Sequence, residues 1–168
     1  TQSFDCFGCG AGGDVITWVR RMENLEFTDA VKQLAEKSGL QVPNDREADR
    51  RAQLRTRIFA INRETANFYF RNLVAGNDKR GLQYFVSRQL KPETIKKYGL
   101  GYAPDSWNTL TDHLLKKGFT EEELLAANVA HRSGKGNLYD AFRGRVMFPI
   151  VDTRGAVIGF GGRVLDDS

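Results

Sequence analysis

Residues 139 to 163 read YDAFRGRVMFPIVDTRGAVIGFGGR, and the hydrophobic period of this stretch decides the fold class. Val146, Phe148 and Ile150 alternate with their neighbours, the two-residue repeat of a strand. Asp152-Thr153-Arg154-Gly155 has turn chemistry, since Asp favours a turn bonded to its own backbone and Gly tolerates positive φ. Val157 to Phe160 is apolar again, so the stretch predicts a β-hairpin.

Upstream the period is helical. A helix from about residue 56 carries Ile58, Ile61, Thr65, Phe68 or Tyr69, and Leu73 on one face. Further helices are predicted over 79–88, 92–98, 109–117 and 120–127, the last opened by a Thr120/Glu123 capping box. The cluster Phe68-Tyr69-Phe70 reads as core in preference to a base-stacking platform. Helices followed by strands argue for an α+β class.

Residues 44–57, NDREADRRAQLRTR, are dense in charge and nearly free of large apolar side chains. They read as a charged linker or the solvated start of a helix, and they are the expected boundary between residues 1–43 and residues 58–168. The first part opens on Cys6-Phe-Gly-Cys9 and the run Gly10 to Gly13. Asp14 is placed to cap a helix with Val15, Trp18, Val19 and Met22 on one face. A second helix is expected from Thr28, with Val31, Leu34 and Ala35 inward, stopping at Gly39.

Composition excludes several classes. No apolar run reaches the roughly 18–20 residues of a membrane-spanning helix, and the opening TQSFDCFGCG lacks the regions of a signal peptide, so a cytoplasmic location is the expectation. Two cysteines make no disulfide framework; a C-x-x-C suggests half of a metal site or a redox pair. The glycines after Cys9 argue against the redox pair, which calls for a helix starting at the motif. Residues 1–43 hold 4 Lys/Arg against 6 Asp/Glu of the 25 and 21 in the chain, leaving a net +6 on the remainder, compatible with a polyanionic partner.

The catalytic inventory is short. His113 and His131 lack ligand spacing, and GFGG is not a G-x-G-x-x-G nucleotide loop. Apart from Asp166-Asp167 no acidic pair follows a strand, so a two-metal centre cannot be assembled and no catalytic residue is assigned. Arg143, Arg145, Arg154 and Arg163 flank the hairpin, and alternation would put Arg143 and Arg145 on one face. They have two readings: forks onto phosphate oxygens, or surface ion pairs with Asp140, Asp152 and Asp166.

The strings FDCFGCGAGGDVITWVRRMENLEFTDAVKQLAEKSGL, YFVSRQLKPETIKKYGLGYAPDSWNTL and YDAFRGRVMFPIVDTRGAVIGFGGRVL together resemble one family, bacterial DNA primase, over nearly the whole chain and in order. The resemblance implies the second half of an N-terminal zinc module at 1–43, a charged linker at 44–57, and the N-terminal subdomain of the RNA polymerase module at 58–168. The implied fold is a small helical pair after a half zinc-ribbon turn, then a mostly helical subdomain with a C-terminal β-hairpin or small antiparallel sheet. Cys6 and Cys9 would be the later two of four zinc ligands, the upstream C-x-x-H being absent from this sequence. Arg88, Arg143, Arg145 and Arg163 would bind single-stranded DNA template and the RNA–DNA hybrid; Ala141 departs from the pattern, which often has a basic residue there.

The family makes RNA primers from ribonucleotides. Its magnesium or manganese centre lies in a toprim subdomain after the matched region, and its replicative helicase contact in a C-terminal domain, so this fragment is expected to bind template without catalysing. The competing expectation is a stand-alone zinc-dependent nucleic-acid-binding or interaction module.

Overall fold

A computed structural model describes residues 3–40 and 46–165. The chain divides into two compact units, Thr1–Ala52 and Gln53–Ser168.

In the first unit, strands β1 (Ser3–Asp5) and β2 (Gly12–Asp14) pair antiparallel and enclose the cysteine turn. Cys6 N donates to Ala11 O at 2.8 Å and Gly10 N to Cys6 O at 2.9 Å, so the turn is closed by its own backbone. Helix α1 (Val15–Glu23) starts where expected, because Asp14 Oδ1 accepts from both Thr17 N and Thr17 Oγ1. Of its four expected inward residues only Val19 is buried; Val15, Trp18 and Met22 are exposed, although Trp18 meets Phe4 edge-on at 4.9 Å. Helix α2 (Phe27–Lys37) begins one residue early and ends as read, with Gly39 at φ +67° letting Leu40 N return to Ala35 O.

The charged stretch is helical. Helix α3 (Arg46–Ala75) runs for 30 residues, so from Arg46 onward residues 44–57 form no irregular linker; residues 44 and 45 lie outside the described set. Glu47 and Asp49 sit in the first turn, where carboxylates complement the helix dipole, and Arg51 pairs with Glu47 at i,i+4. At the other end of the stretch Arg57 forks onto the Glu123 carboxylate at 2.5 and 2.9 Å, donates to Gly118 O and covers the Phe119 ring. Arg57 therefore anchors the body instead of standing in solvent.

The second unit continues with α4 (Arg80–Ser87), α5 (Pro92–Lys97), β3 (Gly101–Ala103), α6 (Thr109–Lys116), α7 (Glu121–Ala126), β4 (Ala130–Arg132), β5 (Leu138–Asp140), β6 (Arg145–Val151) and β7 (Val157–Val164). Each predicted helix forms, and the Thr120/Glu123 capping box is present. The hairpin is β6–β7, but it is shorter than the quoted stretch. Tyr139 belongs to β5 and lies opposite His131 of β4 in a separate two-stranded sheet.

The strand β3, too short to leave a periodic signal, makes β6 the centre of a three-stranded antiparallel sheet ordered β3-β6-β7. Each face of that sheet covers its own core. Val146 and Tyr102 join Leu73, Phe85, Ile95 and Leu100 on one side; Met147 and Ala103 join Ile61, Phe68, Tyr69, Leu110, Leu114, Leu124 and Val129 on the other. The Phe68-Tyr69 pair is thus core, as read. Close approach fixes β3 against α3: a Cβ on Gly101 would stand 2.5 Å from that of Tyr69, so only glycine fits.

Two carboxylates lock this body. Buried Asp140 accepts from Leu110 N (2.9 Å), Thr111 N (2.8 Å) and Thr111 Oγ1 (2.6 Å), supplying the cap of α6 that the Asn108 side chain does not. Burial raises its pKa, and the three donors oppose the rise. Asp78 takes the Arg80 fork (Nη2 to Oδ2 2.7 Å) and the Tyr102 hydroxyl (2.7 Å). Arg80 holds the Asp78 carboxyl well below the usual range, while burial and then Asp78 push the Tyr102 phenol up to about 12.

The depressed Asp78 fixes a sign. Its stabilisation is fully present above its unfolded pKa of about 4 and is lost as pH falls toward the lower folded value. Asp78→Asn is therefore expected to flatten the stability-versus-pH curve below about pH 4, read by urea unfolding at stepped pH; an unchanged slope would assign the acid sensitivity elsewhere.

Candidate nucleic-acid interface

Of the four arginines expected to contact DNA, two come together and two stand apart. Arg163 on β7 lies opposite Val146, hence on the face that carries Tyr102, and its guanidinium stands 5.9 Å from the centre of the Tyr84 ring. Arg88, the residue closing α4, reaches the same ring at 5.4 Å. Tyr84 thus gathers residues 75 positions apart.

Arg145 on β6 lies between Ala103 and Val164 on the opposite face. Arg143 is in no strand. Gly144, at φ +57°, breaks the alternation between them, so the common face expected for Arg143 and Arg145 does not form. Instead the Arg143 guanidinium stacks 3.8 Å over Trp107, 5.5 Å from Tyr139, with Nη1 donating to Asp140 O at 3.2 Å. Trp107 is 63% exposed.

Ion pairing accounts for only one cation of the hairpin. Arg154 pairs with Asp152 at 3.2 Å across the turn. The Asp140 carboxylate is committed to α6, and Asp166 lies outside the described residues. Among the described residues Arg88, Arg143, Arg145 and Arg163 have no carboxylate partner. A guanidinium laid on an aromatic face is positioned without being neutralised, and its N–H edge stays open for an anion.

Sequence reasoning missed the aromatic supports Tyr84, Trp107 and Tyr139. Trp107 and Tyr139 meet Arg143 only after folding, whereas the spacing of four between Tyr84 and Arg88 within the expected helix 79–88 is a local signal for one of the two arginines at Tyr84.

The cysteines form the second feature. Both thiols are free and exposed, and the Cys6 thiol is held below its ordinary range, first by the backbone N–H of Cys9, then by its side chain and the Gly8 N–H. Such donors favour thiolate, the metal-binding form. No group of three or more His, Cys, Asp or Glu able to hold a metal exists among the described residues. The donor set fits one half of a tetrahedral zinc site.

Fold and site together define a class: a cysteine-turn module followed by an α+β body whose small sheet and helices present uncommitted guanidinium groups. Residues 68–168 match the family of the DNA primase catalytic core, N-terminal domain, and residues 1–50 match the CHC2 zinc finger family. The chain belongs to the DNA primase family.

The DNA primase of Clostridium acetobutylicum is 40% identical over 99% of this chain, which spans 28% of that relative's length. The RNA polymerase domain of Mycobacterium tuberculosis primase DnaG, solved with a double-stranded DNA oligomer bearing a 6-nucleotide overhang, superposes with a TM-score of 0.63 at 38% identity, over 67% of this chain and 35% of that one. The zinc-binding and RNA polymerase domains of Aquifex aeolicus primase superpose with a TM-score of 0.60 at 32% identity, over 99% of this chain and 39% of that one. No helix among the described residues is long and apolar enough to cross a membrane.

Proposed function

We propose that this chain is the template-holding part of a primer-synthesising DNA primase, with residues 1–43 from its zinc module and 58–168 from its polymerase module. Arg88, Arg143, Arg145 and Arg163 hold the phosphate backbone of single-stranded template and of the RNA–DNA hybrid. The observation that carries this reading is the absence of any carboxylate partner for all four among the described residues, at positions where family resemblance expects DNA contacts. Phosphate contacts grip without reading sequence, so bases stay available for pairing with ribonucleotides. Bond formation, with its magnesium or manganese ions, belongs to a toprim subdomain, and the helicase contact to a further domain; cytoplasmic replisome work follows from these roles.

Single-stranded oligo-dT titrated against the chain at stepped salt tests this. Four phosphate contacts predict a slope of about −2.8 in log K against log salt, at roughly 0.7 per contact on single strands. A slope near zero would remove the proposed function.

Cys6 and Cys9 are proposed to hold zinc as two thiolates of a four-ligand site; zinc there fixes the turn. With two ligands, the metal should bind far more weakly than the roughly 10–16 kcal/mol of complete finger sites. In a competition with a chromogenic chelator, the chain should surrender zinc at once and Cys9→Ala should bind none. Retention against excess chelator would show that further ligands take part.

A further inference from the structure

Strand β7 carries three glycines whose surroundings differ. A Cβ on Gly159 would meet nothing within 4 Å, and one on Gly161 only Phe148 O at 4.0 Å. On Gly162 it would stand 3.0 Å from Phe142 Cδ1, 3.2 Å from Met147 Sδ and 3.4 Å from Arg145 Cδ. Gly162 is not at positive φ, so its missing side chain supplies space and not backbone freedom.

The groups that fill this space lead to two of the uncommitted arginines. Gly162 lies opposite Met147 and Arg145 opposite Val164, so the Arg145 stem reaches Gly162 diagonally on one face of the sheet. Phe142 comes from the segment between β5 and β6, half-buried and packed against the larger core. That segment is pinned on both sides of Phe142, by Ala141 N donating to Val129 O at 3.0 Å and Gly144 N to Pro104 O at 3.3 Å. Arg143 follows Phe142 directly and from this backbone position reaches Trp107. Met147 is fully buried and cannot yield, so a side chain on Gly162 would displace the Phe142 ring and the Arg145 stem.

We infer that Gly162 is a positioning residue of the DNA-binding surface. Its bare backbone seats Phe142 and the Arg145 stem, and so sets where the Arg143 and Arg145 guanidinium groups meet phosphate. The inference rests on the template-holding function proposed above.

The test is oligo-dT titration of whole-chain variants at stepped salt. Gly162→Val should bind about tenfold more weakly at low salt and flatten the slope by about 0.7–1.4, one to two contacts. Gly159→Ala should match the parent. In an Arg143→Ala/Arg145→Ala background Gly162→Val should cost nothing further, whereas in an Arg88→Ala/Arg163→Ala background it should keep its full effect. A substitution that merely loosened the fold would cost alike in both. If calorimetry shows that valine prevents folding, Gly162→Ala makes the same comparison with a loss of about threefold. A parent that does not bind would remove the proposed function itself. A parent that binds while the Gly162 variant binds as tightly, or equal losses in the two backgrounds, would overturn this inference and leave that function standing.

Discussion

Asp140→Ala is expected to lower the unfolding free energy by about 3–4 kcal/mol, the cost of stranding two buried backbone N–H groups and a buried hydroxyl. Few substitutions in the chain should cost more. Asp140 ends β5, yet its carboxylate starts α6, so its loss releases Leu110 and Thr111 together and loosens the Leu110 and Leu114 contacts in the larger core. At roughly 2–4 °C per kcal/mol for a chain of this size, the midpoint should fall by about 10 °C. Asp140→Asn keeps one oxygen acceptor and should cost about half as much. Calorimetry of both variants decides it; a midpoint unmoved by alanine would mean that water satisfies the three donors. Arg143 donates to the backbone carbonyl of Asp140, which the substitution leaves in place, so the same variant should keep its DNA affinity at temperatures where it is folded.

The double reversal Arg88→Glu/Arg163→Glu is expected to weaken single-stranded DNA binding by about 100-fold at low salt and to reduce the salt slope by about 1.4. Both side chains sit at Tyr84 on one face of the sheet, so a backbone tracking that face loses two adjacent contacts. Arg145→Glu, on the other face, should act independently and add to the double variant in free energy, since the groups share no partner. Oligo-dT titrations of the three variants and their combination check this. Strict non-additivity would place all the cations on one continuous contact.

Much of this was legible in the chain. The capping box at Thr120, the Asp14 cap, the Gly39 stop and the turn at Asp152 are local chemistry, and local chemistry reads directly from neighbours in sequence. The arginines were visible as residues but their arrangement was not. Strand alternation places Arg143 beside Arg145, and one positive φ at Gly144 cancels that inference. The three-residue strands β3, β4 and β5 carry no period, so the sheet that divides the body into two cores could not be foreseen from the hairpin alone. For 44–57 charge density leaves two readings, a linker or the solvated start of a helix, and from Arg46 onward the helix is what forms. In the sequence Arg57 reads as one more solvated cation, until Glu123, 66 positions later, is brought beneath it. Trp107 falls in the same class, because its meaning depends on which distant guanidinium folds onto it; at Tyr84 only Arg163 comes from afar, Arg88 being four residues on.

The central claim is that guanidinium groups without carboxylate partners hold the nucleic-acid backbone, and one comparison tests it most directly. Arg163→Glu and Arg154→Glu change the net charge equally and lie on the same hairpin, but Arg154 is committed to Asp152 and Arg163 is not. Titrated with oligo-dT at one fixed low salt concentration, Arg163→Glu should lose at least about tenfold in affinity while Arg154→Glu stays within about twofold of the parent chain. Equal losses would contradict the account, because binding would then follow overall charge and not the placement of the free arginines.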